Sequence, residues 1–247
     1  MKISVLTLFP EFIKSLESFS MIGRAIDDGI LDLEVTDIRD FAVNKYLQVD
    51  DYPYGGGPGM LMQAKPIVEA IESVKTKNSK VYYMSPQGKV LKQDMLLSLS
   101  KEEHIILVNG HYEGIDQRVI DNYIDEEISI GDYVLTGGEL PSMVLIDGVT
   151  RLLDGVLAGE ESFSDESHFN GLLEYPQYTR PKEFRGHSVP DILLSGDHEK
   201  IRKYRLRESI RNTLNKRPDL LDEKNLNKEE KEILNDLLEG GNGNGFY

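Results

Sequence analysis

The sequence predicts an α/β fold with a parallel sheet, followed by a small helical domain. Through the first 155 residues, apolar β-branched runs alternate with helical patterns, and short links join them. Alternation of this kind is typical of a parallel sheet covered by helices. After an acidic stretch that begins at 155, prolines punctuate an extended segment and the rest of the chain has helical periodicity. We therefore expect an α/β domain over 1–160, a linker or lid over 161–175 and a helical domain over 176–247.

The individual elements follow from composition and period. Strands are predicted where aliphatic and β-branched residues concentrate, over 3–9, 31–38, 80–85, 104–109 and 127–135. Helices are predicted where the apolar period is near 3.6, close to 10–19, 65–76, 92–100, 116–123, 138–153, 198–215, 218–222 and 228–239. Asn227 is a predicted N-cap for the last of these helices. The segment 44–63 has no usable periodicity and is predicted to be a long loop.

Composition excludes several classes of protein. The 247 residues contain no cysteine, so a disulfide framework, a thiolate zinc site and a cysteine nucleophile are excluded. The five histidines never occur at metal-ligand spacing, and no metal site is predicted from them. No apolar run approaches the roughly 20 residues of a membrane-spanning helix, and the first residues lack a signal-peptide pattern. We expect a cytoplasmic protein that does not associate with membranes.

Charge is distributed unevenly along the chain. The net charge is −15, from 28 basic and 43 acidic side chains. The segment 200–217 nevertheless has eight basic residues and one acidic residue, a net +7, which leaves −22 on the remaining 229 residues. Such a run is often a solvated helix face. Against so acidic a background, it favours docking of an anionic partner.

Three predicted strands end in loops of unusual composition. These loops are SPQG at 85–88, GHYEG at 110–114 and the stretch from Ile130 to Pro141, IGDYVLTGGELP. In parallel sheets, ligands bind outside the carboxyl ends of the strands, so the three loops are predicted to line one crevice. Glycines allow close backbone approach, and exposed backbone groups suit the edge of an adenine. Each loop by itself would also fit plain turn chemistry.

Several nucleotide and acyl-transfer motifs are absent from the sequence. It contains no G-x-G-x-x-G, no G-x-x-x-x-G-K-[ST] and no G-x-S-x-G. The glycine-rich run 55–59, GGGPG, is not followed by the Lys and Ser or Thr of a phosphate loop. It is either a flexible turn or a surface against which a flat ligand lies.

Eight motifs spread over nearly the whole chain resemble the bacterial tRNA (guanine-N1)-methyltransferases of the SPOUT class. They are LTLFPEF at 6–12, IGRA at 22–25, VDDYPYGGGPGM at 49–60, YMSPQG at 83–88, NGHYEGIDQRV at 109–119, ISIGDYVLTGGELP at 128–141, LLEYPQYTRP at 172–181 and LLSGDHEKIRKYR at 193–205. The resemblance implies a SPOUT-type parallel sheet with a C-terminal trefoil knot. It also implies methyl transfer from S-adenosylmethionine to N1 of guanosine 37 of tRNA, by a homodimer whose active sites are shared between subunits.

The resemblance also implies which residues bind the cofactor, because the family holds it in the knot loops. On this sequence the matching positions are Tyr83, Ser85, Pro86, Gly110, Tyr112, Glu113, Gly114, Ile130, Gly131, Asp132, Tyr133, Val134, Leu135, Gly137, Gly138 and Pro141.

The catalytic residues are predicted from the reaction and from the resemblance together. Guanine N1 carries a proton that must leave, and negative charge develops on O6, so a general base and a cation are needed. Arg151 matches the family's catalytic arginine. The family's base is an aspartate before a serine, and an ungapped alignment places Glu166 there, with Asp165 just before it. The base is therefore predicted to be Glu166, with Asp165 as the alternative.

Contacts with tRNA are predicted at Arg24, Asp50, Pro58, Gly59, Arg202 and Arg205. The resemblance adds magnesium as a further expected ion, although the sequence has no recognisable cage for it. Three other functions fit part of the sequence: a SPOUT methyltransferase with another RNA target, a catalytically inactive RNA-binding protein, and a flavodoxin-like nucleotide-binding enzyme. The match at LLEYPQYTRP disfavours the first, and the knot-loop motifs disfavour the third. The glutamate in place of aspartate motivates the second.

Overall fold

The computed structural model describes residues 1–18, 20–157, 166–221 and 226–240. The chain divides into two compact units, Met1–Gly159 and Glu160–Tyr247. In the first unit the strands are β1 (Lys2–Thr7), β2 (Asp32–Asp37), β3 (Asp50–Asp51), β4 (Leu61–Met62), β5 (Ser79–Val90), β6 (His104–Asn109) and β7 (Glu126–Ser129). Its helices are α1 (Pro10–Lys14), α2 (Ser20–Asp27), α3 (Ala64–Val74), α4 (Gln93–Leu99), α5 (Gln117–Tyr123) and α6 (Glu139–Thr150).

Five parallel strands form the central sheet, in the order β2-β1-β6-β5-β7. The predicted parallel α/β architecture is therefore confirmed. Because the strands are parallel, all their carboxyl ends lie at one edge of the sheet. β5 and β7 have an irregular register, in which Ile128 pairs with Met84 and again with Lys89. Residues 85–88 consequently leave the sheet as a loop at that edge.

The core has two layers because side chains alternate between the faces of each strand. On β6, Ile105 and Leu107 pack in the cluster that includes residues of α1, α2 and α6. Ile106 and Val108 point to the other face, where the cluster includes residues of α3. Apolar residues on both faces are typical of strands buried in a parallel sheet.

Three local predictions for this unit are wrong. The predicted strand 127–135 ends at Ser129, because the Ser129 hydroxyl bonds the N–H and C=O of Gly131 and turns the chain out of the sheet. The predicted helix 10–19 is short and is followed by a 3₁₀ turn, Ser15–Ser18, and then by α2. The segment 44–63 contains the antiparallel pair β3–β4, which its missing periodicity did not indicate.

The second unit contains the hairpin of β8 (Glu183–Phe184) and β9 (His187–Ser188), then α7 (His198–Lys216) and α8 (Lys228–Gly240). Its buried core residues are Leu172, Ile210, Leu226 and Leu234. The predicted N-cap Asn227 is confirmed: its side chain accepts from the N–H of Glu230, whose carboxylate accepts from the N–H of Asn227. Among the described helices, none is both long enough and apolar enough to span a membrane.

Candidate active site

A cavity of about 460 Å³ lies at the carboxyl ends of β5, β6 and β7. It is lined by the irregular segment 85–87 of β5, by the loop 110–115 after β6 and, except for Asp132, by the loop 130–138 after β7, together with the adjoining strand residues and Pro141. Every predicted cofactor residue except Asp132 lines this cavity. The sequence reasoning missed several lining residues, among them Leu61, Gln87, His111, Gln117, Glu127 and Thr136.

Close packing at two adjacent glycines joins the loops. The N–H of Gly138 donates to the C=O of Gly110 over 3.1 Å, which links the loop after β7 to the end of β6. A Cβ atom at Gly138 would lie 2.8 Å from Cα of Asn109. At Gly137 it would lie 2.2 Å from Cε1 of His111. Only glycine allows the chain to pass so close to the end of β6.

A buried carboxylate lies directly behind these glycines. Glu139, the first residue of α6, is 3% exposed. Its Oε1 accepts from the Thr7 hydroxyl at 2.5 Å, and its Oε2 lies 2.7 Å from Nε2 of His111. Burial alone would raise the pKa of Glu139, but the hydrogen bonds from His111 and Thr7 outweigh it, so the pKa is lowered. The sequence analysis missed this cluster, although Thr7, His111 and Glu139 all lie within the quoted motifs.

The electrostatics of the cavity favour a cation. Glu113 and Glu127 are among the lining residues, and the described lining contains neither lysine nor arginine. Burial, with a further contribution from Glu127, raises the pKa of Tyr83 to about 12. Its hydroxyl is therefore neutral at physiological pH. The site can bind a cationic ligand with polar edges, and it offers no cationic side chain to a phosphate.

The predicted catalytic residues lie in both units. Arg151 follows α6 in the first unit, and its N–H caps the helix by bonding Asp147 and Val149 carbonyls. Glu166 is in the second unit, in a turn where its carbonyl accepts from the N–H of Phe169. The adjacent Ser167 hydroxyl accepts from the N–H of Glu174. Asp165 lies outside the described residues.

The segment that contains the predicted tRNA contacts Asp50, Pro58 and Gly59 lies next to the cavity. The N–H of Glu113 donates to the C=O of Met60 over 3.0 Å. A Cβ atom at Gly59 would lie 2.4 Å from Cγ of Glu113, so Gly59 touches a cavity-lining side chain. Asp50 is in β3, where its carbonyl accepts from the side chains of Gln48 and Gln63. Arg24 is exposed on α2.

The basic helix is less positive than its sequence indicates. The guanidinium of Arg202 binds Glu199 at 3.0 Å and Glu229 at 2.8 Å. Further ion pairs join Lys200 to Asp197, Lys203 to Glu199, Arg207 to Asp236, Arg211 to Glu208 and Arg217 to Asp219. Most of these acidic partners lie just outside the segment 200–217. Arg205 instead stacks over the ring of Tyr175, 4.9 Å from its centroid.

Among the described residues, no group of three or more His, Asp or Glu side chains is arranged to hold a metal ion.

Fold and cavity together define an α/β enzyme whose ligand site lies at the carboxyl edge of a parallel sheet.

Comparison with known proteins identifies the family. The family model described as tRNA (Guanine-1)-methyltransferase TrmD matches residues 1–223. A tRNA (guanine-N(1)-)-methyltransferase of Ruminiclostridium cellulolyticum is 57% identical over 223 residues, covering 89% of this chain and 96% of that protein. One from Clostridium perfringens (strain SM101) is 54% identical over 235 residues, covering 95% and 99%. One from Syntrophomonas wolfei is 53% identical over 238 residues, covering 96% and 97%.

The chain belongs to the tRNA (guanine-1)-methyltransferase family. It is therefore an S-adenosylmethionine-dependent tRNA methyltransferase, as the resemblance implied.

Proposed function

We propose that this chain transfers the methyl group of S-adenosylmethionine to N1 of the guanosine at position 37 of tRNA, next to the anticodon, in the cytoplasm. The observation that carries the proposal is the cavity at the carboxyl ends of β5, β6 and β7, lined by the three loops that bear the family motifs.

S-adenosylmethionine fits the cavity in size and charge. Small-molecule sites usually enclose about 300–1,000 Å³, and this cavity encloses about 460 Å³. Bound S-adenosylmethionine supplies a methyl group on a positively charged sulfonium, which is already a good electrophile. Glu113 and Glu127 favour that positive charge. The flavodoxin-like alternative is disfavoured by the family match over residues 1–223 rather than by the charge of the cavity, since backbone N–H groups alone can bind a phosphate.

Backbone groups of the three loops would hold the adenosine portion. Gly110, Gly137 and Gly138 line the cavity and let a ligand approach the backbone closely because they have no side chains, although the N–H of Gly138 is already bonded to the C=O of Gly110. Tyr83 forms a neutral wall, because its raised pKa keeps its proton on the hydroxyl. Exclusion of water by these loops strengthens each polar contact made inside the cavity.

Removal of the proton from guanine N1 is the first task of the protein. The N1 lone pair becomes available only when that proton leaves, so a carboxylate must lie within hydrogen-bond reach of it. We assign this role to Glu166, which takes the position of the family's aspartate, and we regard Asp165 as its neighbour. A placed general base contributes about 10²–10⁴-fold to the rate.

Stabilisation of the charge on guanine O6 is the second task. We assign it to Arg151, whose guanidinium is positively charged at every physiological pH. A preorganised cation contributes on the order of 10²–10³-fold where water is excluded. Beyond base and cation, the protein supplies alignment of N1 with the methyl group.

We assign tRNA contacts to Arg24, Asp50, Pro58, Gly59, Arg202 and Arg205. The loop that contains Gly59 touches Glu113 at the cavity, a suitable place for a base splayed out of an RNA loop. Arg202 binds two exposed glutamates, and a phosphate would have to replace them. The binding free energy that tRNA gains at this helix is therefore smaller than the charge of the sequence indicates.

A second copy of the chain is proposed to cover an apolar face beside the cavity. Tyr133, Leu140 and Val144 are 54%, 48% and 50% exposed, and they lie around a shallow groove with Ile130 and Met143. Contiguous exposed apolar surface is typical of interaction sites. Dimerisation through this face agrees with a shared active site.

We also infer a trefoil knot around α6. The chain leaves the edge strand β7, reaches the end of β6 at Gly138 and then packs α6 against β6 and β1. This path past the end of β5 is the support for the inference. Magnesium, the further ion that the resemblance implies, finds no cluster of ligands among the described residues, and we assign no step to it.

A methyl-transfer assay on unmodified tRNA transcripts tests the function. The wild-type chain should form 1-methylguanosine on a transcript with guanosine at position 37 and not on one with adenosine there. Binding of S-adenosylmethionine without methylation would favour the inactive RNA-binding alternative. Methylation of a different nucleotide would favour another RNA target.

A variant series tests the base. Glu166→Gln keeps the shape but removes basicity, so it should reduce methyl transfer by about 10²-fold or more with cofactor binding retained. Glu166→Asp should remain active. Asp165→Asn is the matched control and should lose little methyl-transfer activity. If Asp165→Asn is inactive and Glu166→Gln is not, Asp165 is the base.

A further inference from the structure

The buried cluster of Thr7, His111 and Glu139 joins three segments of the chain that are distant in sequence. Thr7 ends β1, His111 is in the loop after β6, and Glu139 begins α6. Thr7 Oγ1 donates to Glu139 and also accepts from the N–H of Phe9 at 2.9 Å. Both carboxylate oxygens of Glu139 thus have a partner, which a buried carboxylate requires.

Two members of the cluster do not line the cavity. His111 lines it, whereas Thr7 and Glu139 are not among its lining residues. Any effect of Glu139 on a bound ligand must therefore pass through the residues that it contacts. Those residues are His111 and the adjacent Gly137, whose Cβ position would lie 2.6 Å from Oε2 of Glu139.

The contacts of His111 bring two cavity loops together. Its backbone forms an antiparallel bridge with Gly137, and Gly138 donates to Gly110 next to it. Its ring occupies the space above Gly137. If the ring moved, the loop 110–114 and the segment 137–138 would keep these backbone bonds but lose the side-chain contact that fills the space between them.

We propose that Glu139 is a positioning residue for the cofactor: it holds His111 in place and thereby sets the width of the cavity between the loop 110–114 and Gly137. This inference rests on the proposed function, because it takes S-adenosylmethionine as the ligand of the cavity. The lowered pKa of Glu139 supports it, since an ionised carboxylate accepts hydrogen bonds at both oxygens.

A second residue on β1 provides a matched control. The Ser4 hydroxyl is buried like that of Thr7 and also has two partners, Glu34 at 2.8 Å and His104 at 2.9 Å. None of Ser4, Glu34 and His104 lines the cavity. Ser4→Ala and Thr7→Val therefore each remove a buried hydrogen-bonding hydroxyl from the same strand, but only Thr7→Val releases Glu139.

The experiment measures the affinity of the full-length chain for S-adenosylmethionine by titration calorimetry, with steady-state kinetics and thermal unfolding in parallel. Thr7→Val and Glu139→Gln should raise Kd and KM for S-adenosylmethionine about 10-fold, because each disturbs a hydrogen bond to a buried charged group. The kcat at saturating cofactor and the KM for tRNA should remain within about twofold. Thr7→Ser, which keeps the hydroxyl, should bind S-adenosylmethionine with wild-type affinity.

Ser4→Ala should lower Tm and leave the affinity unchanged. Equal affinities in Thr7→Val, Glu139→Gln and wild type would overturn the inference, and so would equal losses of affinity in Thr7→Val and Ser4→Ala. If Thr7→Val does not fold, the comparison of Glu139→Gln with Thr7→Ser decides in the same way. Failure of the wild-type chain to bind S-adenosylmethionine would instead contradict the proposed function.

Discussion

Gly138→Ala adds one methyl group just before α6, and it should weaken cofactor binding more than a methyl group added within that helix. Gly138 is the N-cap of α6, with φ −81°, a conformation open to any residue, so backbone strain is not involved. The added Cβ would lie 2.8 Å from Cα of Asn109 and 3.0 Å from its Cβ. Contacts shorter than 3.4 Å are already tight, so the chains must separate by about 0.6 Å.

The cavity wall must move to make this separation. Asn109 is fully buried and bonds the Ser142 hydroxyl at 2.5 Å, so it has little room to move. Gly138 and its neighbours in the cavity wall must move instead. Overpacking of this kind costs about 1–3 kcal/mol, which lowers Tm by roughly 2–12 °C for a domain of this size. Because sites need geometry accurate to about 0.5 Å, we expect the affinity for S-adenosylmethionine to fall about tenfold.

Gly148→Ala, in the same helix, is the matched control. Its Cβ would meet Cδ1 of Leu96 at 2.8 Å, the end of a flexible side chain that can rotate away. Alanine in a helix interior is also more stable than glycine by about 1 kcal/mol. Titration calorimetry and thermal unfolding should show normal affinity and little change in Tm. Wild-type affinity and Tm in Gly138→Ala would refute the argument that this close approach shapes the cavity.

Three further predictions concern pH, assembly and tRNA. Burial lowers the pKa of His104, with a smaller contribution from Lys2, so the unfolded chain binds its proton more tightly than the folded chain. The contribution of His104 to the free energy of unfolding is therefore complete above the unfolded pKa of about 6.5 and is lost as pH falls below it, by at most about 1.4 kcal/mol per pH unit. In urea unfolding, His104→Asn should lack this loss of stability between pH 7.5 and 5.5. An identical loss in His104→Asn and in the wild type would contradict the prediction. Val144→Glu should convert the proposed dimer to a monomer in light scattering, since it places a charge in the apolar face. A dimer of unchanged affinity would locate the interface elsewhere. Arg205→Ala should weaken tRNA binding and lower its salt dependence by about one unit of slope. Arg202→Ala should weaken tRNA binding less, because Arg202 is already paired with two glutamates. If both variants bind tRNA like the wild type at every salt concentration, this face of the helix is merely solvated.

The sheet could be predicted because its signal is local. β6 contains the continuous aliphatic run IILV, as burial on both faces of a parallel strand requires. In β1 and β2, aliphatic residues are interspersed with polar ones, and helical patterns flank all three strands. The gathering of the three loops at one cavity was predictable for the same reason, since parallel strands place their carboxyl ends at one edge. The N-cap at Asn227 was predictable because a capping box involves residues only three positions apart.

Other features depended on partners distant in the chain. The sequence indicates a strongly basic segment over 200–217, but the fold pairs Arg202 with Glu229 and Arg207 with Asp236, 27 and 29 positions away. The segment from Ile130 to Leu135 has the composition of a strand, but the hydrogen bonds between Ser129 and Gly131 turn it out of the sheet, and most of it lines the cavity instead.

Neighbouring residues in the sequence indicate most of the central sheet, the loops that end its strands and the family motifs in these loops. The packing of distant segments was needed to show that Thr7, 132 positions from Glu139, completes the hydrogen bonds of that buried carboxylate. Hydrophobic periodicity involves neighbouring residues, whereas the partner of a buried charge depends on which chain segments the packed sheet brings within about 3 Å of it.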